Sequence, residues 1–185
     1  PKFSENGINS FKTANGRTVY DGGGVMPDVE IKTSQKTDET KKLLESKAIF
    51  NFATEYFYNT TTIEDVDNFS LKKADFNKFT NYLEKDTTFV TKQESLFKKA
   101  FLATDNSNIN KEYAKIKEQL FANKIAQISK NEEIIIELLK QEIIQRYYYR
   151  EGVYSNNLKN DIVIAEATKL LKNNDKYNEI LSAKK

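Results

Sequence analysis

Phe11–Glu30 reads FKTANGRTVYDGGGVMPDVE, and it holds four of the six glycines and one of the two prolines of the 185-residue chain. Its contrast with everything after it decides the fold. Asn15-Gly16 is a strong turn signal, because a type I′ turn needs positive φ at both central residues. Phe11 to Thr13 and Arg17 to Tyr20 are rich in β-formers, so a hairpin closed by that turn is predicted. Gly22-Gly23-Gly24 can take backbone angles closed to other residues and lets another backbone approach. Pro27 fixes its own φ and pushes Met26 to an extended conformation. Asp28 is placed to cap or to bond nearby amides, and Val25, Val29 and Ile31 predict a short strand joining a sheet. A lone hairpin of this size is marginal in water, and no other convincing strand comes after it.

Beyond this stretch the punctuation stops. There is no glycine between Gly24 and Gly152 and no proline after Pro27. A breaker-free run with apolar residues at 3.6-residue spacing predicts helix throughout. The polar run Lys32 to Lys36 is a linker. A first helix is expected from Asp38, as its N-cap, to about Tyr58, with Leu43, Leu44, Ala48, Phe52 and Tyr56 on a wide apolar face that Ile49, Phe50, Ala53 and Phe57 extend. The turn Asn59 to Thr62 ends it, and Thr62 to Phe69 is irregular. A second helix covers about Lys72 to Lys85 around Phe76, Phe79 and Leu83. Thr91 caps a third with Leu96, Phe97, Ala100 and Phe101 on its face, and Asp105 to Asn108 is a polar break. From Asn110 the chain continues as two long helices or one bent one. Tyr113, Ile116, Leu120, Phe121, Ile125 and Ile128 carry the first part, and Ile135, Ile136, Leu139, Ile143, Ile144 and Tyr147 the second. Ser129-Lys130-Asn131 marks the break, and Gly152 is a suitable C′ glycine for the end. Asp161 caps a helix through Leu171, and a short one covers Asp175 to Leu181. The expected fold class is mainly α, a multi-helix bundle preceded by a short N-terminal hairpin and extended segment.

Bulk properties exclude several function classes. Charged residues make up 30% and the net charge is +2, with both signs alternating along the chain. No sustained basic face argues for nucleic acid. The absence of cysteine and histidine removes disulfides, the usual zinc sites, a Ser-His-Asp triad and a Cys-His pair. No apolar run approaches ~18 residues, so no membrane span is expected in this chain. A chain that starts Pro1-Lys2 and opens into an orphan hairpin is expected to be a piece of a longer one, and missing targeting signals are then uninformative.

Candidate chemistry is sparse. A serine with a desolvated lysine as base can hydrolyse without histidine, and the spacing offers Ser95 with Lys98 and Lys99, Ser107 with Lys111, and Ser155 with Lys159. None sits beside a glycine-rich elbow, and in so lysine-rich a chain they read as solvated helix surface. Glu132-Glu133 is a solvated pair, since helix neighbours do not face each other, and Glu64-Asp65 with Asp67 adds no more. Asp105-x-Ser107 with Glu112 after it lacks the glycine and spacing of a calcium loop. The triple glycine does not run into Lys-Ser/Thr and opens no helix, so it is no phosphate loop. Arg146-Tyr147-Tyr148-Tyr149-Arg150 mixes cations and aromatics as base-stacking platforms do. On a helix, however, the three rings diverge, and Glu142 precedes Arg146 in the favourable order for an ion pair. A packed helix end is the better reading. No catalytic, metal or cofactor residue can be named, and no cofactor is expected.

T-x-x-G-R-x-V-Y-x-G-G-G-V-x-P-D-V, with Thr13, Gly16, Arg17, Val19, Tyr20, Gly22, Gly23, Gly24, Val25, Pro27 and Asp28, resembles the signature that leads out of the catalytic core in carboxyl-terminal processing (tail-specific) serine peptidases. Ala48 to Tyr56, AIFNFATEY, is similar to the first helix after the linker in that family. Glu142 to Gly152, including Arg146 and Tyr148, is similar to the end of the helical C-terminal domain in the long forms found in Bacteroidetes-type bacteria. Asp161, Ala167, Tyr177, Ile180 and Leu181 match the closing helices of those long forms. Residues 60 to 130 match in helical character alone. The resemblance implies a division at 1–36, the end of a peptidase core, and 37–185, a helical C-terminal domain. It also implies a periplasmic parent endopeptidase with a PDZ domain and a serine–lysine dyad, both upstream of Pro1. This piece would be accessory to that parent and inactive alone. Its expected partners are the remaining parent domains, protein substrates and another copy of itself, without nucleic acid. The rival reading is a stand-alone helical adaptor unrelated to proteolysis.

Overall fold

A computed structural model describes residues 9–21, 27–32, 34–103 and 110–182. They form a mainly helical protein with one two-stranded antiparallel hairpin, as the pattern predicts. Gly22-Gly23-Gly24, Val25, Met26 and the Asp105–Asn108 break lie outside the described residues. The chain divides into two compact units. One is 34–156, and the other combines 1–33 with 157–185.

The larger unit holds α1 (Asp38–Glu45), α2 (Ala48–Asn59), α3 (Lys73–Tyr82), α4 (Lys92–Leu102), α5 (Asn110–Ser129) and most of α6 (Glu132–Asn160). The expected single first helix is two. Thr37, not Asp38, is the N-cap, and its hydroxyl accepts from Thr40 N at 3.1 Å. Ser46 then interrupts the helix. Its hydroxyl donates to Leu43 O at 2.7 Å and accepts from Ala48 N at 3.2 Å. A serine side chain that bonds local backbone offers the chain an alternative to the helical ladder. The α5–α6 break falls where the sequence places it, and Asn131 there is only 6% exposed. Its side chain accepts from Thr37 N at 2.9 Å and donates to Gln35 O at 3.0 Å, so the break pins the start of α1.

Two apolar clusters hold this unit. The first joins Leu43, Ile49, Phe76, Phe79, Leu83, Phe89, Ile128, Ile135 and Leu139. Phe52 meets Phe79 and Tyr82 edge-on, with ring centroids at 5.2 and 5.4 Å. The second joins Ala53, Phe69, Ile143 and Ile144, with Val66, Tyr147, Tyr148 and Val153 packed against it. Each fully buried side chain of this size stabilises by roughly 1.5–3 kcal/mol. Helix α4 departs from expectation. It buries no residue, Leu96 is 56% exposed, and it meets α5 through a stack of Phe97 and Phe101 on Tyr113 and through the Glu94–Lys124 ion pair.

Helix α6 is the main surprise. In a straight helix Asn156 would lie about 28 Å from Glu137, at 1.5 Å per residue. Instead Asn156 Nδ2 donates to Glu137 Oε1 at 2.6 Å. The chain reverses at Tyr149, whose backbone is non-helical at φ 55°, ψ −153°. Gly152 is therefore not the left-handed C′ residue. It is the buried residue where the returning limb comes closest to the first, and a Cβ there would overlap Tyr148 Cβ and lie 2.9 Å from Ile144 Cγ2.

The smaller unit carries β1 (Ser10–Lys12) and β2 (Thr18–Tyr20), paired Ser10 with Tyr20, Phe11 with Val19 and Lys12 with Thr18. The turn differs from the type I′ expectation. Gly16 N donates to Thr13 O and Thr13 N to Arg17 O, both at 2.9 Å, which leaves three residues in the loop. Among the described residues of the loop only Gly16 has positive φ, at 77°. This is the turn-plus-bulge closure that needs one left-handed residue rather than two. Asn9 and Asp21 close the open end, with Asn9 N on Asp21 Oδ1 at 2.6 Å. The strand expected at Val29 and Ile31 does not form, and residues 27–32 contain no strand. A strand needs a partner edge, and none of the described residues supplies one. α7 (Ile162–Lys172) and α8 (Asn174–Leu181) start on side-chain caps, Asp161 and Asn173.

Alanine normally improves a helix interior over glycine by about 1 kcal/mol. At Gly152 the neighbouring Tyr148 Cβ is fixed to backbone and cannot yield, so overpacking of about 1–3 kcal/mol outweighs that gain. Gly152→Ala is expected to lower the urea midpoint of unfolding. A variant as stable as the parent contradicts the close approach of the two limbs.

Candidate functional site

The residues singled out by the sequence fall into two groups, one in each unit. In the smaller unit Thr13 and Gly16 build the hairpin loop, and Tyr20 ends β2 with its ring 68% exposed. Arg17 pairs with Asp28 and donates from Nη1 to Ile180 O at 3.3 Å. Asp28 thus binds a guanidinium, and among the described residues no backbone amide donates to it. Around the pair lies an open cleft of about 770 Å³, lined by Gly16, Arg17, Thr18, Asp28, Glu30, Lys176, Glu179 and Ile180 among others. Two cations face three carboxylates there, so the cleft favours neither sign of ligand. Ser182 at its rim donates its hydroxyl to Glu179 O at 2.9 Å. Pro27 stands beside Asp28, while Gly22, Gly23 and Gly24 of the same motif lie outside the described residues.

In the larger unit Glu142, Arg146, Tyr148 and Gly152 all serve the α6 reversal and its neighbours. Arg146 Nη1 pairs with Glu142 Oε2 at 2.9 Å, the spacing the sequence predicts. Its Nη2 reaches α2, donating to Phe50 O and Thr54 Oγ1, each at 2.8 Å. The guanidinium carbon also sits 4.6 Å from the Phe50 ring centre. Arg146 therefore caps a mid-helix carbonyl, an alcohol and an aromatic face at once, which a lysine point charge could not reproduce. Tyr147 donates to Thr60 O at 2.5 Å and Tyr148 to Glu64 O at 3.1 Å. Both hydroxyls thus grip the irregular segment after α2. Tyr149 is 72% exposed, at the corner itself. The aromatic–cation run is a packed and hydrogen-bonded corner rather than a stacking platform.

One group escaped the sequence reading. Lys124 is 5% exposed, and its Nζ pairs with Glu94 Oε1 at 2.7 Å and donates to Phe89 O at 3.1 Å. Its ammonium also lies 4.7 Å from the Phe89 ring centre and 5.3 Å from that of Phe121. Glu94 in turn completes the capping box with Thr91. A buried lysine is the side chain from which a general base is made, but here the charge is compensated by a carboxylate and, among the described residues, no serine is bonded to it. A lysine at an otherwise apolar helical position was the available signal.

The lysines of two of the serine–lysine pairings are solvated. Lys98, Lys99 and Lys159 are exposed, and a solvated lysine is not activated as a base. Ser107 lies outside the described residues. Among the described residues no group of acidic side chains could hold a metal ion, and no helix is long and apolar enough to cross a membrane.

A family model described as "Probable PDZ-protease, C-terminal helical domain" matches residues 39–171. No curated protein and no solved structure matches the chain.

Burial, and secondarily the neighbouring Tyr56, raises the Tyr147 phenol above its ordinary value. A group whose folded pKa is raised contributes stability that is present below the unfolded value, about 10, and is lost as pH rises through the folded one. The chain is therefore expected to lose stability above about pH 10, and to lose less of it in Tyr147→Phe. Denaturant midpoints measured across that range test this, and parallel curves for the two proteins contradict it.

Proposed function

We propose a role for this chain from the family it belongs to, the C-terminal helical domains of probable PDZ-proteases. It is the accessory helical domain of a carboxyl-terminal processing serine endopeptidase of the cell envelope. Serine and lysine, in the parent's preceding catalytic core, carry the hydrolysis, and a PDZ domain presents the substrate's C-terminal tail. Residues 37–185 brace that core and border the route by which substrate reaches it. Residues 1–36 are the last piece of the core, and the hairpin adds to its sheet.

The observation that carries this reading is the hairpin. All six of its strand residues are exposed, and two three-residue strands without a partner sheet are marginal in water. Phe11, Val19 and Tyr20 are 54%, 37% and 68% exposed. Apolar strand residues of this kind are supported by a sheet that another part of the parent supplies. The pairing of Lys124 with Glu94 agrees with a domain that supports chemistry without performing it.

The experiment is a cleavage assay on an unstructured peptide with an apolar C-terminal tail. The purified chain alone is expected to give no turnover, while the parent enzyme cleaves, and cleaves more slowly when residues 37–185 are deleted. Turnover by the chain alone, or full activity of the deleted parent, contradicts the proposal.

A further inference from the structure

The reversal of α6 has an unusual composition. Arg146–Glu151, RYYYRE, contains no glycine, proline, asparagine or aspartate. Such residues are the ones that ordinarily turn a chain. The turn is made by Tyr149 at φ 55°, ψ −153°, a backbone region that is nearly restricted to glycine. Its ring is 72% exposed, so no packing of that side chain compensates the strain. Every residue around the corner would be at ease in one continuous helix.

A single chain cannot straighten without loss. Asn156, 1% exposed, would leave Glu137, and Gly152 would leave Ile144 and Val66. A second copy removes that penalty. If two chains straighten together, the limb after Tyr149 of each can lie against the first limb of the other. Every inter-limb contact is then remade between copies, and the strain at Tyr149 disappears from both.

We propose that α6 is an exchange hinge, and that this chain forms a dimer by trading the limb that begins at Arg150 between two copies. The balance sets the relief of two strained corners against the entropy lost on association, so it depends on concentration. Exchange is slow, because the contacts of Gly152, Val153 and Asn156 must open before they can reform. The proposal does not depend on the role in proteolysis.

The chain has no cysteine, so spin labels can be placed at Glu133→Cys and Tyr154→Cys, both positions on α6 with access to solvent. Labelled chains are diluted with unlabelled ones, monomer and dimer are separated by size, and the distance within one chain is read by pulsed electron resonance. The dimer is expected to give about 31 Å, the length of a straight helix over 21 residues, and the monomer a clearly shorter value. Tyr149→Gly, which makes the corner strain-free, is expected to reduce the dimer fraction at least about tenfold, as relief of strain of this size implies. Tyr149→Ala, a better helix former that keeps the strain, is expected to raise it. A dimer with the short distance, a monomer at every concentration up to millimolar, or a Tyr149→Gly chain as dimeric as the parent overturns the proposal.

Discussion

The contact on which the larger unit depends is the hydrogen bond of 2.6 Å between Asn156 and Glu137. Nineteen residues of helix separate these groups in sequence, so the bond can exist only if α6 turns back on itself. That reversal brings Gly152 against Ile144, and the limb before it carries Tyr147 and Tyr148, whose hydroxyls meet the carbonyls of Thr60 and Glu64. The irregular segment after α2 has no helical ladder of its own, so the carbonyls of Thr60 and Glu64 take donors from outside it. The two tyrosines supply them. Arg146 completes the attachment by bonding Phe50 O and Thr54 on α2. The first limb of one helix thus holds a loop and a helix–helix junction, and the bend after it returns Val153 to the second apolar cluster.

Much of this was legible in the sequence, for identifiable reasons. Thr91 with Glu94, and Asp161 before an apolar run, announce helix starts through side-chain chemistry that acts over three residues, and both cap as expected. Phe76, Phe79 and Leu83 show their burial by spacing alone. The errors share a different cause. Ser46 divides a helix by bonding its own neighbours, and nothing in the apolar period records that. In the hairpin, Asn15-Gly16 serves equally a two-residue loop and a three-residue loop, and the choice shifts the pairing by one. Leu96 keeps helical spacing, yet α4 meets α5 through aromatic stacking and the Glu94–Lys124 ion pair and leaves that leucine in solvent. At the end of α6 the glycine was the visible signal, but the left-handed residue is Tyr149. Gly152 matters for what its missing side chain admits, and that is a tertiary fact.

The candidate site divides in the same way. The Glu142–Arg146 pair is dictated by helical geometry and is present. The Arg17–Asp28 pair joins residues that the sequence marks as one motif, although it gives no cause for their meeting. The position of Lys124 on an apolar helical face was legible, but its partners were not, because Glu94 and the Phe89 carbonyl come from another part of the chain. Its saturation by a carboxylate, a carbonyl and two rings is the arrangement expected of a structural charge. It suits a chain of the family of C-terminal helical domains of probable PDZ-proteases.

Residues 34–156 cohere around the folded-back α6, and on the proposed function the hairpin draws its order from the parent's sheet. Native-state hydrogen exchange of the chain reads this directly. Amides from Ile135 to Ile144 are expected to exchange only through global unfolding, and those of Ser10–Tyr20 at nearly unprotected rates. Hairpin amides as protected as the core, or local opening of Ile135–Ile144 far below the global stability, contradicts it.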